Sequence, residues 1–388
     1  MDAGEKRAGG AVRRALGVYL VARVLVSIWA AVAVGAPRVE VPDCMSEIYE
    51  HEPLVYPHNS PLLGYLVGVW FRWDTGWYTR IAVEGYRGDD GRTAFAPFYP
   101  LLIRLTGRLL GGEYLLASLV VSNVALVAML AVLHRLVELD FSKEMARRTI
   151  VYMMACPAGF FLLAGYTESL FLFFAVLSLY AARRGHWWTG GLAAFLASLT
   201  RQQGWVLALP LAYEALRRAE WRPWDARRGL LAACSAPAGT LAYTIYLALA
   251  GLPGFFDAQA GHWYVQFVAP WTSIAVAVQS ALSGEWYFQD MINTATFFLS
   301  LVLILSGLRR LKPIYWLYTI PSQLIFLSAL WPGESLHSMP RYFLMLFPNM
   351  MTLALITRRR WLFSAVLFVF ILIQLVEIAM FTRWGWVA

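Results

Sequence analysis

Residues 71–102, FRWDTGWYTRIAVEGYRGDDGRTAFAPFYPLL, form a charged and aromatic segment in a chain that is otherwise almost entirely apolar. Hydrophobic residues make up 59% of the chain and charged residues 14%, with a mean hydropathy of +0.56. No soluble domain with a polar surface has that composition. The chain therefore reads as an all-α, multi-pass integral membrane protein forming one domain over residues 1–388. Residues 36–112 are its large first loop outside the bilayer, and the chemistry is expected at Asp74.

The net charge of +8 does not point to nucleic acid, because the basic residues fall in short clusters between apolar runs instead of one patch. Lys6, Arg7, Arg13 and Arg14 precede the first run. Arg147 and Arg148, Arg183 and Arg184, Arg217 to Arg228, Arg309 to Lys312 and Arg358 to Arg360 separate later ones. Positive clusters stay cytoplasmic, which puts the amino terminus inside. The loop bearing Glu40, Asp43, Glu47, Glu50, Glu52, Asp74, Glu84, Asp89 and Asp90 then lies outside. Met1 to Gly10 is polar and the following apolar run continues to Val34, longer than a signal-peptide core, so this run is expected to stay as the first span.

These anchors predict about eleven crossings, near 15–35, 113–136, 149–164, 169–182, 187–199, 205–216, 229–250, 291–308, 313–331, 342–357 and 361–381. The segments 61–71, 97–110 and 271–282 are too short or too charged to cross and read as interfacial helices. The stretches from Arg148 to Arg183 and from Arg184 to Arg217 are shorter than the roughly 40 residues two crossings need. Their tips, GYTES (165–169) and LTRQQG (199–204), are expected about 4–6 Å below the outer surface. Non-helical polar backbone at that depth must line a protein-walled or watery cavity. Glu168 and Arg201 thus become candidates beneath the Asp74 loop, since intramembrane ionisable groups are costly.

Cys156 and Cys234 fall inside predicted spans and Cys44 outside, which leaves no disulfide framework. His51, His58, His134, His186, His262 and His337 show no ligand spacing, and no phosphate-binding glycine loop is present, so neither a metal nor another cofactor is expected.

RWDTGWY, IAVEGY and AFAPFYPLL together resemble the outer loop of the PIG-V family, the transferases that add the second mannose to glycosylphosphatidylinositol (GPI), and their prokaryotic relatives. CPAGFFLLAGYTESLF (156–171) is similar to the family's Tyr-Ser/Thr-Glu-Ser segment, and SLTRQQG (198–204) to its Thr-Arg-Ser-Asn-Gly segment, departing from it at Gln202 and Gln203. SMPRYFLMLFP (338–348) is similar to its late Pro-Arg-Tyr segment. The resemblance implies a GT-C glycosyltransferase bundle, a polyprenyl-phosphate mannose donor and inversion at the sugar carbon. It implies Asp74 as catalytic base. Among the arginines on the outer side, Arg72, Arg80, Arg104, Arg201 and Arg341, the donor phosphate is expected on Arg201 and Arg341, because both lie at span ends adjoining the cavity. Arg72, Trp73, Trp77, Tyr78, Glu84, Tyr99, Tyr166, Glu168, Gln202, Gln203 and Tyr342 are the expected substrate contacts, and Tyr86 and Phe98 would add apolar surface.

Elementary chemistry agrees with that expectation. A sugar hydroxyl needs one carboxylate to take its proton as it attacks, and single-step inversion needs no protein nucleophile. Guanidinium forks neutralise a leaving phosphate. Each of these residues also has a plainer reading: Glu168 as a helix-start acid, Arg201 and Arg341 as snorkelling cations, and Glu84, Asp89 and Asp90 as surface charges. Arg23 and Glu377, inside the first and last spans, read as a buried pair or as packing residues.

The expected partners are membrane lipids, the prenyl-phosphate donor and a glycolipid acceptor; no protein partner can be read from the chain. Lys6, Lys143 and Lys312 are the only lysines, a bias that suggests a GC-rich prokaryotic genome and hence a plasma membrane. A lipid-linked-sugar transporter would share spans and arginines, but the repeated halves common in transporters are not seen. A protein O-mannosyltransferase would share donor and fold.

Overall fold

Apolar runs long enough to satisfy their own backbone in lipid become the longest helices. The computed structural model describes residues 3–35, 61–284, 287–331, 333–334 and 336–387. Among these, Gly9–Val34, Tyr114–Glu138, Arg227–Leu249, Phe288–Leu308 and Arg360–Thr382 are long and apolar enough to cross a membrane. The expectations for Glu40, Asp43, Cys44, Glu47, Glu50, His51, Glu52 and His58 fall outside the described residues.

The other predicted crossings take shorter or broken forms. The stretch 149–164 is helical as Lys143–Ala155 and continues as a 3-10 turn, Pro157–Leu162. Pro157 has no N–H to carry the ladder on. The stretches 165–184 and 187–218 contain Glu168–Arg184, Trp187–Thr200, the 3-10 turn Gln202–Leu207 and Ala208–Arg218. Pro313–Leu327 replaces 313–331, and 342–357 divides into Met339–Met345 and Phe347–Ile356, with Pro348 opening the second piece. Pro61–Leu66, Phe98–Leu109 and Pro270–Ser283 are short helices where interfacial ones were expected. Phe98–Leu109 buries Tyr99, Pro100, Ile103 and Gly107 and exposes Leu101, Leu105 and Leu109 on its other face. The all-helical expectation misses one small exception, a two-residue antiparallel pair, Gln266–Phe267 with Ala329–Leu330.

Small residues let helices meet at backbone distance, as expected where lipid offers no hydrophobic drive. A Cβ on Gly191 would lie 3.0 Å from Ala232 Cα, so Trp187–Thr200 packs directly on Arg227–Leu249.

Ion pairs mark the two ends of the bundle. At one end Asp140 binds Arg183, Lys312 and the Tyr315 hydroxyl, Arg183 lies 3.7 Å from Glu214, and Arg148 donates to the carbonyls of Thr357 and Arg358. The basic clusters of five separate segments therefore converge. Glu168–Arg184 runs from this end to the other, where Glu168 pairs with Arg201 and Arg341, and Arg341 with Asp74. Arg23 does not pair with Glu377: it donates to the Leu163 carbonyl at 3.1 Å and lies over the Trp70 ring.

Candidate active site

Each acid of the site opens a helix, where the exposed N–H groups and the helix dipole favour negative charge. Asp74 begins Asp74–Glu84, directly after Trp73, whose φ of 51° is in the left-handed region a bulky residue rarely occupies. Glu168 begins Glu168–Arg184. Arg201 closes Trp187–Thr200 with extended backbone before the Gln202–Leu207 turn. Gly204 lets that turn fold back, because a Cβ there would overlap the backbone of Ser198. Arg341 lies in Met339–Met345, which follows Ser338 at φ 56°.

These elements bring the four charges together. Arg341 Nη2 is 2.7 Å from Asp74 Oδ2, and Arg341 Nε donates to Glu168 Oε1. Arg201 Nη1 donates to the same Oε1 and to Thr167 Oγ1, both at 2.8 Å. The Arg341 guanidinium sits over the rings of Tyr166, at 4.8 Å, and Phe161, at 5.2 Å. Two arginines balance two carboxylates. The Glu168 side chain is wholly buried, whereas that of Asp74 is 21% exposed. Glu168 Oε2 and Gln203 Nε2 are buried polar atoms with no hydrogen-bond partner among the described residues.

Tyr78 stands one turn along from Asp74, its hydroxyl 3.3 Å from Thr167 Oγ1. Burial, reinforced by the Asp74 charge, pushes its phenol well above the ordinary tyrosine range, so it serves as a neutral hydrogen-bonding group. Tyr166 donates to the Arg72 carbonyl at 2.9 Å, and the Tyr342 ring stacks on Phe326 at 4.2 Å. Trp73 packs edge-on against Trp384 and Trp386, and Trp77 against Trp263.

Arg72, Tyr99 and Glu84 are held by other partners. Arg72 is buried and anchors backbone: its Nε and Nη2 both donate to the Thr382 carbonyl, and its Nη1 to those of Gly68 and Phe71. It ties the loop to the last helix. Tyr99 is buried with its hydroxyl 2.8 Å from Ser122 Oγ, a packing position. Glu84 ends the helix that Asp74 begins and binds Arg92, Arg87 and Arg80. Partial burial works against its charge, but these guanidinium groups, Arg92 above all, hold its carboxyl below the usual range. Asp90 shares Arg92. Glu84 therefore fastens the loop and does not join the cluster.

Sequence reading missed Thr167 and Phe161. Thr167 lies within the quoted GYTES, and its hydroxyl bridges Arg201 and Tyr78. Nothing in the linear pattern distinguishes Phe161 from its apolar neighbours. A largely apolar cavity of about 380 Å³ lies at the Glu84 end of the helix that Asp74 begins, lined by Ile81, Ala82, Phe98, Tyr243 and Tyr246, with Leu199 and Arg104 in its wall. Ile81 and Ala82 share the Asp74 helix, and Leu199 is two residues from Arg201.

Among the described residues no three His, Cys, Asp or Glu side chains are grouped as metal ligands. The arrangement offers a semi-exposed carboxylate, two guanidinium groups and buried polar atoms without a partner among the described residues.

Comparison with known proteins gives the same neighbourhood. The chain is 24% identical over 234 residues to GPI mannosyltransferase 2 of Yarrowia lipolytica, covering 57% of this chain and 63% of that one. It is 31% identical over 179 residues to GPI alpha-1,6-mannosyltransferase 2 of Rattus norvegicus, covering 43% and 36%. The chain thus spans less than two thirds of the length of these relatives. Among solved structures it is similar to ArnT from Cupriavidus metallidurans bound to undecaprenyl phosphate, at 17% identity and a TM-score of 0.48 over 74% of this chain and 57% of that one. The family model for mannosyltransferase (PIG-V) matches residues 42–219. That stretch includes Asp74, Glu168 and Arg201, and over it the chain is similar to the PIG-V mannosyltransferases.

Proposed function

We propose that this protein is a GT-C-type inverting mannosyltransferase that moves mannose from polyprenyl-phosphate mannose to a glycolipid on the extracytoplasmic face of the membrane. The observation that carries this reading is the cluster of Asp74, Arg341, Glu168 and Arg201. Asp74, the exposed acid, takes the acceptor hydroxyl's proton as that oxygen attacks the anomeric carbon. Arg341 and Arg201 receive the leaving phosphate, whose growing charge their donors neutralise. Glu168 orients both arginines, and its free oxygen, with Gln203, suits sugar hydroxyls.

The cavity beside the Asp74 helix suits a prenyl or acyl chain. The convergence of basic clusters at the far end of the bundle supports an outward-facing Asp74. With Arg341 on the base and no group of metal ligands among the described residues, we infer a metal-independent reaction. The arginine-rich composition supports a prokaryotic plasma membrane, where the acceptor is an envelope glycolipid.

The test is incubation of purified protein with radiolabelled polyprenyl-phosphate mannose and a total lipid extract. Label moving into lipid is the expected result. Label in protein would replace the acceptor class, and no transfer with retained donor binding would favour a transporter.

A further inference from the structure

Arg341 holds two carboxylates that differ in freedom. Glu168 is wholly buried and receives both arginines on one oxygen. Asp74 is partly exposed and has one ion pair among the described residues, that with Arg341. The guanidinium itself is fixed by Glu168 on its Nε and by the Phe161 and Tyr166 rings. If an anion enters, the arginine stays and a carboxylate must give way.

The free cluster is neutral, and a prenyl-phosphate sugar, a phosphodiester, brings one negative charge into it. Two anions then compete for Nη2 of Arg341, and like charges in a partly desolvated site repel strongly. Asp74, with one tie and access to solvent, is the one displaced.

We propose that Arg341 alternates between two partners: Asp74 in the empty site and the donor phosphate in the loaded one, so that donor binding releases the carboxylate for catalysis. This rests on the reading of Asp74 as base. In the transfer step the acceptor proton passes to the Asp74 carboxylate and the acceptor oxygen bonds to the anomeric carbon. The bond from that carbon to the phosphate oxygen breaks, and its electron pair stays on the phosphate. The negative charge lost at Asp74 reappears on the leaving group held by the same guanidinium, so the charge around Arg341 is conserved. Binding is therefore ordered, donor first, because in the empty site the carboxylate is turned to arginine.

Binding of farnesyl monophosphate to purified protein in detergent micelles, measured by calorimetry, tests the exchange without needing turnover. Asp74→Asn and Asp74→Ala both remove the competing charge, and each is expected to bind the phosphate about 10-fold more tightly than the unaltered protein. Arg341→Lys, which keeps a charge for Glu168 but loses the fork, is expected to bind it about 10-fold more weakly. Affinity in both Asp74 variants equal to or below that of the unaltered protein overturns the exchange, even if their turnover is lost and the base assignment stands. Tighter phosphate binding in variants that still transfer mannose sustains the exchange and removes Asp74 as base.

Discussion

Arg201 and Arg341, 33 and 173 residues along the chain from Glu168, donate to the same oxygen of it, Oε1. One buried carboxylate thus sets the separation and aim of two cations from distant helices. A buried carboxylate with one charge partner removed typically costs several kcal/mol, so the three groups form a unit that single substitutions disrupt together. Among the described residues Asp74 joins it through Arg341 alone, which leaves it the group most able to act on an incoming hydroxyl.

Asp74→Asn preserves shape and removes only the proton acceptor. Mannosyl transfer is expected to fall by about 10²–10⁴-fold, the usual cost of losing a general base, with donor binding not weakened. Retention of more than about a third of the normal initial rate rules Asp74 out as base.

Transfer is expected to continue at its normal rate in EDTA, since the candidate base is held by Arg341 and no ligand cluster is found among the described residues. Activity lost on chelation and restored by Mn²⁺ or Mg²⁺ would instead assign Asp74 to an ion.

Gly165 sits where a Cβ would overlap Ser118 Oγ and come 2.9 Å from Thr75 Cγ2. Gly165→Ala therefore pushes the segment carrying Tyr166 and Glu168 away from the Asp74 helix. Overpacking of this kind costs about 1–3 kcal/mol. Both the thermal midpoint and the transfer rate are expected to drop, and a variant unchanged in both shows that the contact yields without effect.

At the opposite end, partial burial works against the charge of Asp140, yet Arg183, Lys312 and Tyr315 outweigh it and hold its carboxyl down at about 2, below the usual aspartate range. A folded value below the unfolded one stabilises the protein at pH above about 4, and the contribution disappears as pH falls toward 2. Breaking this network with Asp140→Asn is expected to cost on the order of 3 kcal/mol at neutral pH. Melting curves of the two proteins, well separated at pH 7, are expected to converge in acid. A constant gap between pH 7 and pH 3 contradicts the linkage.

The amino-acid sequence by itself determined the membrane class, the position of most apolar helices and the breaks at GYTES and LTRQQG. Hydropathy and proline are local properties that act on nearby backbone without reference to distant partners. It also marked Asp74, Glu168, Arg201 and Arg341 individually, since charge in an apolar background is conspicuous. Only the tertiary structure decided that they meet, that Arg72 anchors the last helix and that Glu84 belongs to a separate arginine cluster. A charged side chain takes whichever counter-charge the packing of helices brings within about 4 Å. For residues as far apart as Glu168 and Arg341, that choice is set by how the whole bundle closes and not by any window of sequence.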